Sequence, residues 1–429
     1  MNSSEDPALE KALMNPLILD NILSHMDFTT LKTARCVCTA WDDIATPILG
    51  RKGRITFSKF KGMAIFNPKL ATNVSLCLDS NCDCLLNCRC GSDPMSSPAL
   101  IMLEVSNHLT ELHLWVGSRF NARQHEAPTS RSCGSGQDFR SVGPSAILQG
   151  LLNCAPKAEE LIITMFEGSP DWELSGTNVK ILRFRYLDLY KSYRSVHYPY
   201  YFERVNFSIS TILDRFTNSL EKLELGYSDF VGFKSPKWIL NFSAPNLTHL
   251  TILDADKYDL ENFLDVTHLP KLTNLSVRHY RISQLFQTSQ RCHEEVKSLE
   301  LDISTYCYQK DALVASAIAH LFPSVTEFKV KLKVETYTEL FTTDLAEAVG
   351  SFRAWELAKG EIIVNGVSPD VVAAVLEEFD DFELTDRVRD ALVACRSSRH
   401  IYMAGLSMDE DTRNNLRALI AEWNLSVFL

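Results

Sequence analysis

One apolar triplet recurs through most of this chain. A first apolar residue is followed three places on by a second, and two places beyond that by a third. The copies are Leu109, Leu112, Leu114; Ala158, Leu161, Ile163; Val179, Leu182, Phe184; Leu220, Leu223, Leu225; Leu247, Leu250, Ile252; Leu272, Leu275, Val277; Val296, Leu299, Leu301; and Val325, Phe328, Val330. In several copies a proline stands two residues ahead, at Pro156, Pro245, Pro270 and Pro323. The second and third positions alternate with polar residues, as in a short strand with one buried face. Between Leu223 and Leu299 the step is about 24 to 27 residues, and the earlier steps of about 21, 41 and 49 mark insertions or degenerate copies. One such unit cannot bury its own apolar face. Stacked neighbours can, and this confines the chain to an array of repeats.

The pattern resembles the leucine-rich-repeat family, whose period is ~20–29 residues. It departs from that family at one place. The Asn or Cys expected three residues after the third apolar position is replaced by Gly117, Ser228, Ala255, Tyr280 and Ser304. The backbone ladder that this side chain normally satisfies must be made otherwise, and an irregular array is expected. A β-sandwich would place its turns closer together, ~8–12 residues apart. In the strand register, the residues between the second and third apolar positions face the concave surface: His113, Ile162, Arg183, Glu224, Thr251, Ser276, Glu300 and Lys329. Arg185 and Arg278 point the same way, and these ten are the candidate substrate contacts. Beyond residue 336 the pattern loosens. Helices are expected over 340–357, 369–379 and 384–395, and short strands at 362–364, 401–403 and 425–428, as degenerate repeats or a cap.

The first fifty residues follow a helical period. Leu19, Ile22, Leu23 and Met26 form one stripe, with Pro16 near its start, where a missing N–H costs nothing. Thr29 or Thr30 can cap a second helix, along which Leu31, Ala34, Val37, Cys38 and Trp41 continue the apolar face. Trp41, Ile44, Ala45 and Ile48 make a third stripe, which Pro47 should cut short.

The run Met14-Asn15-Pro16, Leu19, Ile22-Leu23, Met26-Asp27, Leu31, Arg35, Val37-Cys38 and Trp41 resembles the F-box, with Arg35 to Trp41 the most specific stretch. It departs at the leading Leu-Pro and at the acidic residue that often follows, where Leu17 or Ile18 stands. The resemblance implies docking on a Skp-type adaptor and, through it, on a cullin, by helices seated in an apolar groove. Carried over by position, the adaptor contacts would be Pro16, Leu19, Ile22, Leu23, Leu31 and Val37, with Met26, Cys38 and Trp41 in the module's core.

The net charge of −11 over 429 residues disfavours non-specific binding to nucleic acid or anionic membrane. No signal peptide and no run of ~18 apolar residues is present, so an intracellular, cytoplasmic or nuclear protein with cysteines mostly as thiols is expected. Asn-x-Ser/Thr sequons such as those at Asn73, Asn246 and Asn274 are then chance products. Cys82, Cys84, Cys88 and Cys90 could ligate zinc, but one-residue gaps within each pair are tighter than the usual spacing, and an exposed thiol loop competes. Residues 117–145 read as a mobile insertion made basic by Arg119, Arg123, Arg131 and Arg140. From Arg183 to Phe202, tyrosines interleave with basic residues, a mixture suited to gripping a peptide or stacking on bases.

No phosphate-binding glycine loop, helical His-Glu zinc pair or nucleophile elbow occurs. The expected architecture is α/β: a three-helix F-box over 1–50, a linker with the cysteine loop and a first degenerate repeat over 51–99, an irregular leucine-rich-repeat solenoid of horseshoe type over 100–336, and degenerate repeats or a cap over 337–429. The expected role is a non-catalytic, cofactor-free substrate receptor of a Skp-cullin-F-box ubiquitin ligase whose repeats bind a target protein. A free-standing leucine-rich-repeat scaffold, and a nucleic-acid- or zinc-binding module, stand as alternatives.

Overall fold

The computed structural model describes residues 14–57, 68–78, 108–116, 149–165 except 151 and 154, 178–188, 209–229, 238–240, 242–253, 258–259, 264–279, 292–304, 314–333, 355–365, 401–404, 410–422, 424 and 426–428. The chain divides into two compact units, residues 1–189 and 190–429.

The first unit opens with three helices: α1 (Pro16–His25), α2 (Phe28–Ala34) and α3 (Thr39–Lys52). Five parallel strands follow in chain order: β1 (Ile55–Phe57), β2 (Asn73–Leu78), β3 (Glu111–Val116), β4 (Glu160–Met165) and β5 (Ile181–Asp188). Their register stacks like on like. Val74, Leu112, Leu161 and Leu182 form one row, and Leu76, Leu114, Ile163 and Phe184 the next. All eight are buried. Ala71, Leu109, Ala158 and Val179 are buried two residues ahead of their strands, so β2 carries a copy of the triplet at Ala71, Val74 and Leu76.

The second unit repeats the scheme. Strands β6 (Lys222–Asp229), β8 (His249–Leu253), β10 (Asn274–His279), β11 (Ser298–Ser304), β12 (Glu327–Lys333), β13 (Lys359–Asn365), β14 (Ile401–Ala404) and β15 (Val427–Phe428) lie parallel in that order. Two short strands, β7 (Trp238–Ile239) and β9 (Tyr258–Asp259), pair separately. Helices α4 (Ser210–Phe216) and α5 (Val314–Leu321) precede β6 and β12, and α6 (Glu410–Glu422) lies between β14 and β15. The second and third apolar positions again stack, Leu223 with Leu250, Leu275, Leu299 and Phe328, and Leu225 with Ile252, Val277, Leu301 and Val330.

A backbone ladder runs along the strand entrances. The residue after the first apolar position offers its carbonyl to two successive N–H groups of the next strand. Thr248 O accepts from Thr273 N and Asn274 N, both at 3.0 Å, and Thr273 O accepts from Lys297 N at 2.8 Å and Ser298 N at 3.0 Å. Thr72, Thr110, Glu159, Glu221, Lys297 and Thr326 accept in the same way. Where the following residue is threonine, its hydroxyl adds a third donor: Thr110 to Thr72 O, Thr248 to Glu221 O, Thr273 to Thr248 O and Thr326 to Lys297 O, at 3.0–3.4 Å. The prolines have a separate task. Pro156, Pro245 and Pro270 take the second place of a turn closed by a backbone hydrogen bond onto Ala155, Ala244 and Leu269, where the fixed φ of proline is favourable.

Two local expectations are corrected. Asp27, not Thr29 or Thr30, caps α2, its carboxylate accepting from both threonine N–H groups at 2.8 and 2.9 Å. A carboxylate just ahead of the helix reaches the free N–H groups and is favoured by the helix dipole. Helix α3 continues through Pro47 to Lys52, because its buried residues Ala45, Ile48 and Leu49 on both sides of the proline are held by the bundle core. The helix α6 was not anticipated, while the helices expected over 369–379 and 384–395, the cysteine loop and the insertion at 117–145 fall outside the described residues.

Candidate functional site

The N-terminal bundle has a small, tightly closed core. Leu19, Leu23, Leu31, Ala34, Ala45, Ile48 and Leu49 are buried, and Met26, Trp41 and Ile44 pack against them. Its ends are fastened by polar contacts. Asn15 accepts from Leu17 N at 3.0 Å at the start of α1, and Lys52 at the end of α3 donates to Ser24 O and Met26 O, the orphan carbonyls at the end of α1. Arg35 binds Asp42 at 2.8 Å, and Asp42 also accepts from Thr46 at 2.8 Å. The Thr46 hydroxyl and then Arg35 hold the Asp42 carboxyl below the usual range.

Outside that core the bundle carries much apolar surface. Leu17 is 82% exposed, Val37 63%, Met14 51%, and Ile18, Phe28 and Ile22 about 40% each. These six residues fall within some twenty-four positions of a module too small to bury all its apolar side chains. Beside it, Phe28, Lys32, Arg35, Leu49 and Leu70 line an open groove of about 550 Å³, with the Lys32 ammonium 4.5 Å above the Phe28 ring.

This divides the expected contact set. Pro16, Ile22 and Val37 are exposed. Leu19, Leu23 and Leu31 are fully buried, because the stripe on α1 and its partner on α2 face α3; they support the surface rather than form it. Leu17 and Ile18 stand where an acidic residue was expected and are part of the exposed set. In the expected core, Met26 and Trp41 pack as foreseen, but Cys38 is exposed at the N-cap of α3, its extended backbone turning the thiol outward.

Eight of the ten strand residues fall into rows. His113, Ile162 and Arg183 are in register in the first unit, and Glu224, Thr251, Ser276, Glu300 and Lys329 in the second. His113 and Ile162, however, are each only 6% exposed. A parallel sheet often covers both faces, so alternation alone did not place them in solvent. His113 is stacked on Trp115 at 4.7 Å, accepts from Arg54 at 3.2 Å and lies 3.1 Å from Thr164 Oγ1. Burial, with Arg54 and Arg185 nearby, pushes its pKa down to about 4. On the open rows the charges pair across strands: Arg183 with Glu160, Arg278 with Asp302 at 2.8 Å, Lys329 with Glu361 at 2.6 Å and Lys331 with Glu300. Thr251 and Ser276 form an uncharged, half-buried strip between Glu224 and that block.

Among the described residues no group of three or more His, Cys, Asp or Glu side chains is placed to hold a metal ion, and no helix is long and apolar enough to cross a membrane. Residues 13–46 match the family model of the F-box domain. No curated protein matches the chain.

Proposed function

With an F-box domain at residues 13–46 as the premise, we propose that the chain is the substrate-recognition subunit of a Skp-cullin-F-box ubiquitin ligase. F-box domains bind Skp-type adaptors and are as a rule adaptor modules without chemistry of their own. The observation that carries the reading is an exposed apolar set, Leu17, Ile18 and Ile22 on α1, with Met14 just ahead of that helix and Val37 in the turn between α2 and α3. Apolar side chains on short helices are the form in which a groove on a partner is filled.

The strand arrays read as irregular leucine-rich repeats, on the support of parallel strands in register, apolar triplets and the hydroxyl ladder. On this reading they hold the target, whose contacts fall among the accessible members of the rows: Arg183, Arg185, Glu224, Thr251, Ser276, Arg278, Glu300 and Lys329. The mechanism is positioning. A target held on the strands is brought to high effective concentration near a charged conjugating enzyme delivered by the cullin. The proposed place of action is the cytoplasm or nucleus.

The test is co-purification with a Skp-type adaptor, wild type against an Ile22→Asp, Val37→Asp pair. Both positions are exposed, so the variant keeps its core, whereas a charge at Leu23 would unfold the bundle. Adaptor retained by the wild type and lost from the folded variant supports the ligase role. A folded wild type that does not bind refutes it and leaves a free-standing repeat protein.

A further inference from the structure

Arg54 follows the cap of α3 by one residue, and all three guanidinium nitrogens are engaged on β2 and β3. Nε donates to Asn73 Oδ1 at 3.0 Å, Nη1 to His113 Nδ1 at 3.2 Å, and Nη2 binds the Glu111 carboxylate. Asn73 in turn donates to the other Glu111 oxygen at 2.9 Å. With Nδ1 accepting, the His113 Nε2 proton is directed at Thr164 Oγ1 on β4, 3.1 Å away. One chain of hydrogen bonds thus runs from the end of the helical bundle across three successive strands. Among the described residues the bundle also meets the segment ahead of β2: Asp43 binds Lys69, and Gly50 lies against Lys69, Leu70 and Thr72. His113 is suited to the relay because it stays neutral at cellular pH; a second cation facing the guanidinium would break it.

We propose that Arg54 is a positioning residue that transmits adaptor docking on the helices to β2, β3 and β4, so that the bound adaptor stiffens the strands on the target side of the same unit. The inference rests on the adaptor reading above. Its physical basis is that a planar guanidinium with three directed bonds has few alternative placements, so the helices and strands it joins open together.

Amide hydrogen exchange of the full chain, with and without saturating Skp-type adaptor, tests this. In the wild type, adaptor should slow exchange both in α1–α3 and, by about tenfold, at the amides of Leu112, Leu114, Leu161 and Ile163. Arg54→Met keeps the aliphatic stem and removes the relay; its helices should gain the same protection while those strand amides gain at most twofold. His113→Gln, which can accept at one atom and donate at the other, should behave as the wild type, and His113→Leu as Arg54→Met. A merely structural Arg54 would alter exchange in the free protein but not its dependence on adaptor. Equal strand protection in Arg54→Met, or none in a wild type whose helices are protected, overturns the proposal. If wild-type helices gain no protection, the adaptor reading itself fails. The relay is then judged on the free chain. Leu23→Ala, which loosens the bundle core, should speed strand exchange in the wild-type background and not with Arg54→Met, and an equal effect in both backgrounds overturns it.

Discussion

Gly50 lies inside α3, and replacing it with alanine sets two effects of known sign against each other. By helix propensity alone, Gly→Ala in a helix interior stabilises by ~0.5–1 kcal/mol. The structure opposes it. A Cβ at Gly50 would lie 2.8 Å from Thr72 Oγ1, 2.9 Å from Leu70 O and 3.0 Å from Lys69 O. Two of these atoms are backbone carbonyls of the turn at Pro68–Leu70, which cannot rotate away, and α3 would have to shift off the turn. Overpacking of this kind costs ~1–3 kcal/mol. The difference spans ~0–2.5 kcal/mol and at the midpoints leaves Gly50→Ala destabilised by ~1 kcal/mol, or roughly a 5–10-fold fall in protection of the α3 amides. Native-state hydrogen exchange is the right assay, because a chain with two compact units need not unfold in one step. Gly53→Ala is the control. Its Cβ meets mainly the ring of Phe28, at 2.7 Å, and that ring is 40% exposed and free to swing. It should cost less than Gly50→Ala. If Gly50→Ala is as stable as the wild type or more so, the close packing of α3 on the turn is wrong and propensity governs the site.

His293 takes the place filled by Ala155, Ala244 and Leu269 in other turns; it is 1% exposed, and neither ring nitrogen has a hydrogen-bond partner among the described residues. His293→Leu should therefore stabilise the second unit by ~1–3 kcal/mol, read from denaturant midpoints. Burial lowers the pKa of His293 from 6.5, so the unfolded chain takes up its proton first. Stability is full above about pH 6.5 and declines as pH falls below it, a decline that His293→Leu should reduce and an unchanged pH profile would refute. Thr273→Val removes one hydroxyl from the ladder and should cost ~0.5–1.5 kcal/mol, with exchange accelerating first at the entrances of β10 and β11. Lys329→Gln breaks a partly exposed pair with Glu361 and should change stability by less than ~1 kcal/mol at low salt; a larger loss would show that this ion pair is a structural clasp.

Local periodicity made much of the fold legible. Each apolar triplet from Leu109 to Val330 marks a strand with a buried residue just ahead of it, and the uneven step between copies marks insertions or degenerate copies. The same periodicity placed α1 and α2 and ranked eight of the ten strand residues into rows that the register aligns. The copy at Ala71, Val74 and Leu76 lies in the segment read only as a linker with a first degenerate repeat, where the sequence reading named no strand.

A period tells which residues share a face, and the covering of that face is decided by elements remote in the chain. Leu23 and Ile22 are adjacent and equally apolar, yet one is fully buried and the other 38% exposed, because α3 closes over only one side of α1. His113 and Ser276 hold the same place in their repeats, yet His113 is buried where Arg54, from a turn 59 residues earlier, comes down on it. The amino-acid sequence by itself determined the strands, the helices and the rows, since these follow from bonds and side chains a few residues apart. Only the tertiary structure decided which rows meet solvent, which carbonyls the threonines satisfy and where Arg54 reaches, since those depend on contacts between segments that sequence spacing does not bring together.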